Sequence, residues 1–157
     1  MNKEQQVIMG FRDLLNKMAW LNKSKMEHIL KDYKPSEVHC MEYIEENEDS
    51  NVTKLATSLY MTTSAISKLT KKLIKKGFVE SYKRDDNKKE VCFRLTREGK
   101  AINKVHKELH KEFWERDKVI FEQITEEQFN DILNFIEKYG KHLDIEIMKQ
   151  GLNIKSE

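Results

Sequence analysis

Proline is nearly absent from this 157-residue chain and glycine is scarce, at one and five residues, so little interrupts helix formation. Two cysteines, Cys40 and Cys92, are too few for a disulfide scaffold, in keeping with a reducing compartment. No run approaches the roughly 20 apolar residues of a membrane span. The N-terminus lacks the charged-then-apolar order of a secretion signal, and the expected location is the cytoplasm. A Gly-rich phosphate loop, a nucleophile elbow and a Cys/His nucleophile pattern are all missing, and the carboxylates follow helix-surface spacing; the chain does not read as an enzyme. Internal repeats and low-complexity segments are absent too. The length and a 38% hydrophobic content suffice for one sizeable core.

What is present is concentrated in residues 51–99. A helix pattern capped by Asn51 carries Val52, Leu55, Ala56 and Leu59 on one face and stops at Met61-Thr62-Thr63. A second helix follows, with Ile66, Leu69 and Leu73 inward and Ser64, Ser67, Lys68, Lys71, Lys72 and Lys75 on its other sides, until Gly77 ends it. Residues 78–82 and 91–95 read as strands around a polar tip at 83–89. Helix, tight turn, basic helix and ribbon make a winged helix-turn-helix, the arrangement that sets one helix in a DNA major groove. Between Ser67 and Lys89 nine Lys or Arg face three acidic residues, a local +6 in a chain of net +2, leaving −4 elsewhere. Charge gathered in this way is organised to meet phosphate. A solvated lysine face is the competing reading of any such run.

The flanks read as helix. Residues from about Gln5 to Asp32 carry Val7, Phe11, Leu14, Leu15, Met18, Leu21, Met26, Ile29 and Leu30 at helical spacing. Pro35 and Ser36 open another helix with Val38, Met41 and Ile44 inward. Thr96 caps a long helix to about Ile124, and Thr125 with Gln128 forms a capping box before Phe129, Ile132, Leu133, Phe135, Ile136 and Leu143. One copy cannot cover so much apolar helix around so small a core, which predicts a two-fold dimer. The division expected is a dimerisation helix at 1–34, a winged helix at 35–99, dimerisation helices at 100–150 and a tail at 151–157. The fold class is mainly α with a small β-wing.

His106 and His110 stand at i and i+4 on one side of the helix after the wing, an arrangement used by helical two-histidine metal sites. The plainer alternative leaves His110 in solvent and packs His106 beside Ile102 and Leu109.

The segment from Ala56 to Ser81, the hairpin, and Leu95-Thr96-Arg97-Glu98-Gly99 resemble the DNA-binding core of the MarR family of bacterial transcriptional regulators; motif order and flanking helices extend the resemblance over nearly the whole chain. The resemblance implies a homodimer on a palindromic operator, usually a repressor, that responds to a ligand, metal or oxidant. The family's wing carries Asp-x-Arg, its arginine entering the minor groove; the matching positions here are Asn87 and Lys89, with Arg84 nearby as a replacement. Expected DNA contacts are Thr63, Ser64, Ser67 and Lys68 for base edges and nearby phosphates, Lys71 and Lys72 for phosphates, Thr62 and Thr53 at helix starts, and Arg84, Lys88 and Lys89 along the minor groove. In the family's zinc-responsive branch, zinc is held by a second-helix histidine, a pair on the helix after the wing and a first-helix carboxylate. His39, His106 and His110 fall at the histidine positions, and Glu27 or His28 at the fourth, which makes zinc the expected cofactor.

Three alternatives follow from other residues. An organic effector would use a cleft lined by Trp20, Met26, Tyr33, His39 and Tyr43; oxidation would use Cys40 or Cys92; a protein-binding winged helix would show little salt dependence on duplex DNA.

Overall fold

The structure, a computed structural model, describes residues 1–151; the expected tail lies, but for Gly151, outside them. The chain forms two compact units, Met1–Lys34 and a second beginning at Pro35. No helix among the described residues is long and apolar enough to cross a membrane.

The first unit is built on α1 (Lys3–Ile29). Asn2 caps it: its side chain accepts from the Gln5 N–H at 2.8 Å while the Gln5 side chain accepts from the Asn2 N–H at 3.2 Å. This reciprocal cap starts the helix upstream of the apolar pattern, and Leu30, leaving helical geometry at φ −117°, ends it short of Asp32. None of its 27 residues is buried.

The second unit runs α2 (Pro35–Glu46), α3 (Val52–Leu59), α4 (Thr63–Lys75), β1 (Val79–Arg84), β2 (Asn87–Leu95), α5 (Arg97–Phe121) and α6 (Glu126–Lys149). It is mainly helical with a two-stranded antiparallel wing. Side chains of Asn51, Thr62, Thr96 and Thr125 cap the helices that follow them, each satisfying an otherwise orphaned N–H. Tyr60, at φ 52°, turns the chain between α3 and α4; Gly77, at φ 81°, turns it from α4 into the wing. The strands pair from Val79 with Leu95 to Tyr82 with Cys92, then shift so that Arg84 meets Asn87. The tip is only Asp85-Asp86, shorter than the 83–89 tip expected. Arg84 accounts for this, as its ion pair to Glu90 ties the two strands at the tip and its ion pair to Asp49 ties them to the segment before α3.

Met41 and Ile44 from α2, Leu55 and Ala56 from α3, Ile66, Leu69 and Leu73 from α4, and Val79, Phe93 and Leu95 from the wing form one buried core. Gly99 sits beneath the wing's base: a Cβ there would lie 2.0 Å from the Phe78 carbonyl oxygen. Thr96 latches the same corner, donating through its hydroxyl to Gly77 O at 2.6 Å and through its N–H to Phe78 O at 3.0 Å. Along α5 the buried stripe is Gly99, Asn103, His106, Leu109 and Phe113, whereas Trp114, Ile120 and Phe121 remain exposed. No residue of α6 is buried, and Ile132, Leu133, Phe135, Ile136 and Leu143 face solvent in the single chain.

Candidate nucleic-acid interface and histidine cluster

Helix α4 is amphipathic in the sense the interface needs. Ile66, Leu69, Thr70 and Leu73 are buried, which turns Thr63, Ser64, Lys68 and Lys71 outward and leaves Ser67 half-buried. The Thr62 hydroxyl oxygen accepts from the Ala65 N–H at 3.1 Å, so its proton remains available to an acceptor outside the helix. The first backbone N–H groups of α4 point the same way, a natural seat for a phosphate. Thr53, also exposed, stands in the first turn of α3.

Two expected contacts are already engaged. Lys72 lies 2.8 Å from the Glu37 carboxylate, which Lys76 also approaches at 3.0 Å. Arg84 is engaged within the wing and its neighbour segment: its guanidinium meets Asp49 at 3.6 Å, Asp86 at 3.4 Å and Glu90 at 3.3 Å. The same carboxylates brace the wing. Tyr82 O–H donates to Asp49 at 2.6 Å, which holds the Asp49 carboxyl below its usual range and pushes the Tyr82 hydroxyl up. The Asn51 amide donates to Glu90 while its oxygen caps α3. Lys88 and Lys89 are exposed; Lys88 has Asp85 at 3.1 Å.

Sequence reasoning missed Glu37, Asp49 and Glu90. Glu37 left one signal, a carboxylate beside Val38 and one turn before Met41, on the apolar side of its helix. Its lysine partners stand 35 and 39 positions away, beyond the reach of any local pattern.

His106 is fully buried, and its Nε2 stands 2.8 Å from the Nε2 of exposed His110. One of these nitrogens must carry the proton that the other accepts. The His39 ring centroid is 6.1 Å from that of His106. Burial, then the neighbouring His110 and His39, pulls the His106 pKa down to about 4, so this imidazole is neutral at physiological pH. Its Nδ1 is buried without a hydrogen-bond partner among the described residues. Paired Nε2 atoms suit two adjacent positions of a tetrahedral zinc site. Among the described residues, however, no three His, Cys, Asp or Glu donors are gathered closely enough to hold a metal. His28 and Glu27 are exposed residues of the first unit.

The expected cleft residues divide between the units. Trp20, Met26 and Tyr33 belong to the first, where Trp20 is 79% exposed, and Tyr43 packs against the core of the second. Burial pushes the Cys40 thiol up to about 12 and raises that of Cys92 as well, which keeps both from the thiolate form an oxidant would attack.

Comparison with known proteins matches this geometry. The MarR family model matches residues 34–91. Two regulators of Bacillus subtilis are similar in sequence. The uncharacterized HTH-type transcriptional regulator YhjH is 37% identical over 59% of this chain and 53% of its own length. The HTH-type transcriptional regulator PchR is 32% identical over 69% of this chain and 64% of its own. The chain thus spans between about half and two thirds of these relatives. Among solved structures, the Streptococcus pneumoniae protein FabT in complex with DNA superposes with a TM-score of 0.76 at 20% identity, covering 90% of this chain and 98% of that one. The chain shares the winged helix-turn-helix fold of that structure. The part that the MarR family model matches is the winged core, from α2 through most of the wing.

Proposed function

We propose that the protein is a repressor that binds a near-palindromic operator as a homodimer and answers to zinc. The observation that carries the DNA-binding part is the division of α4, whose apolar face anchors it in the core while Thr63, Ser64, Lys68 and Lys71 stand free. In this reading the start of α4 reads base edges, Lys71 binds backbone phosphate, and Lys88 and Lys89 follow the minor groove. Dimerisation is supported by the uncovered apolar faces: Leu14, Leu15 and Leu21 on α1, and Ile132, Leu133, Ile136 and Leu143 on α6, all remain exposed in one chain. Two-fold pairing would set two α4 helices one DNA turn apart, roughly 34–36 Å, hence the near-palindrome.

Zinc control is supported by the convergence of the His106 and His110 Nε2 atoms; His39, its ring centroid 6.1 Å from that of His106, would have to close in to add a third donor. His39 lies on α2, before the recognition helix, and the pair on α5, after the wing, so a metal held by all three would tie the two ends of the DNA-binding core together. Its contribution would be to favour one spacing of the recognition helices.

The test is fluorescence anisotropy of the chelator-treated protein on its own upstream DNA, across a salt series, with and without zinc. The expected result is binding whose logarithm falls linearly with log salt, tightened by zinc in the unmodified protein and not in His106→Ala/His110→Ala. Replacing Lys88 and Lys89 by alanine should weaken binding to all sequences and lower the salt slope by about 1.8, near 0.9 per phosphate contact. Duplex binding indifferent to salt would refute the DNA reading. Zinc dependence surviving the double histidine variant would refute the metal reading.

A further inference from the structure

Five lysines stand on or just after α4, yet they do not occupy equivalent positions. Lys68, Lys71 and Lys75 are exposed, whereas Lys72 and Lys76 converge on one carboxylate. Glu37 belongs to α2, and its side chain is only 1% exposed. Lys72 Nζ stands 2.8 Å from Oε1; Lys76 Nζ stands 3.0 Å from Oε2 and 3.3 Å from Oε1. A carboxylate taken so far out of water is retained ionised only by partners this close, and here the two ammonium groups hold its pKa down against the burial that raises it. The lysines therefore have a partner inside the protein that salt screens much less than it would a surface carboxylate. Their remaining exposure, 45% for Lys72 and 28% for Lys76, belongs to side chains already turned toward α2.

We infer that Glu37 is a specificity-determining residue: it withholds Lys72 and Lys76 from the DNA backbone and fixes the recognition helix to α2. The inference rests on the DNA-binding reading above. Phosphate contacts raise affinity for every sequence alike, while base contacts separate one sequence from another. A recognition helix with five free lysines would bind any duplex strongly. With two of them held, a larger share of the binding comes from Thr63, Ser64 and Ser67. The same clamp limits sliding and tilting of α4, which keeps those short side chains at a constant distance from base edges. Glu37 touches no DNA in this account; it acts through the two lysines and is a positioning residue.

The experiment compares salt-dependent binding of the full-length protein to its upstream DNA and to a random-sequence duplex for four forms: unmodified, Glu37→Gln, Lys72→Gln and Lys71→Gln. Glutamine at 37 keeps the shape and frees the lysines. Every additional phosphate bound steepens the salt slope by about 0.9, worth roughly fivefold in affinity near 0.15 M salt. Glu37→Gln should therefore bind random duplex at least about fivefold more tightly, while on the upstream DNA the same phosphate gain is offset by loss of the clamp that positions Thr63, Ser64 and Ser67, so that discrimination falls. Damage to the fold alone would weaken both.

Lys72→Gln leaves Glu37 paired with Lys76 and guards against misfolding of the first variant. Its salt slope should stay at the unmodified value, while Lys71→Gln loses about 0.9. The inference is overturned if Lys72→Gln loses slope as Lys71→Gln does, or if a folded Glu37→Gln binds random duplex no more tightly than the unmodified protein. Failure of the unmodified protein to bind either duplex in a salt-dependent way overturns the DNA-binding reading, and this inference with it.

Discussion

Acidification should destabilise the metal-free protein through His106. Its imidazole is fully buried, its Nδ1 has no partner among the described residues, and its pKa stands at about 4 against an ordinary 6.5. Because the folded value is the lower one, the unfolded chain takes up the proton first as pH falls. Stability from this group is therefore complete above about pH 6.5, declines between 6.5 and about 4, and changes no further below. At about 1.4 kcal/mol for each pH unit, that gap is worth about 3 kcal/mol. For a urea dependence near 2 kcal/mol per molar, the unfolding midpoint should fall by about 1.5 M across the window. The measurement is urea unfolding of chelator-treated protein at fixed concentration, at half-unit steps from pH 7.5 to 4, beside His106→Gln. Carboxylates titrating in the same range affect both proteins, so the difference between the two curves isolates the imidazole. A difference constant across the window would refute the argument, as would an NMR titration placing the His106 midpoint near 6.5 in the folded protein.

Two further outcomes follow from the fold. Gly99→Ala drives a methyl group into the Phe78 carbonyl, backbone that cannot swing aside, and should cost on the order of 3 kcal/mol; a melting temperature within 2 °C of the unmodified protein, where roughly 6–12 °C is expected, would show that the corner yields. Arg84→Ala should leave the DNA salt slope unchanged but release the wing from Asp49 and Glu90, seen as faster amide exchange in β1 and β2; a slope lower by about 0.9 with unchanged exchange would return Arg84 to the groove.

The helices from α2 to α4 and the order of the two strands were legible in the sequence because caps and breakers mark them, whereas the strand ends nearest the tip were not. Asn51 and Thr62 cap, Gly77 breaks, and the apolar residues between them keep helical spacing. The start of α1 was less so: its cap, Asn2 with Gln5, precedes Val7, where the apolar periodicity of the helix begins. The candidate site divides on the same physical ground. That Ser64, Lys68 and Lys71 would face outward followed from periodicity within a single helix. That Lys72 and Arg84 would be engaged did not, since their partners Glu37 and Asp49 come from elements folded against them and leave no trace in the spacing around either cation. His106 shows both halves, its pairing with His110 a matter of one helical turn, its burial a matter of what packs over it.

The two-residue turn of the wing has an electrostatic consequence. Asp85 and Asp86, with side chains 107% and 77% exposed, put two negative charges at the far end of a ribbon whose edges carry Lys83, Lys88 and Lys89. Each aspartate is already paired, Asp85 with Lys88 at 3.1 Å and Asp86 with Arg84 at 3.4 Å, so the end of the ribbon is close to neutral while Lys83 and Lys89 leave its edges positive. A polyanion would draw such a wing in by its edges rather than by its end, and exchanging either aspartate for a neutral residue would shift positive charge toward the tip.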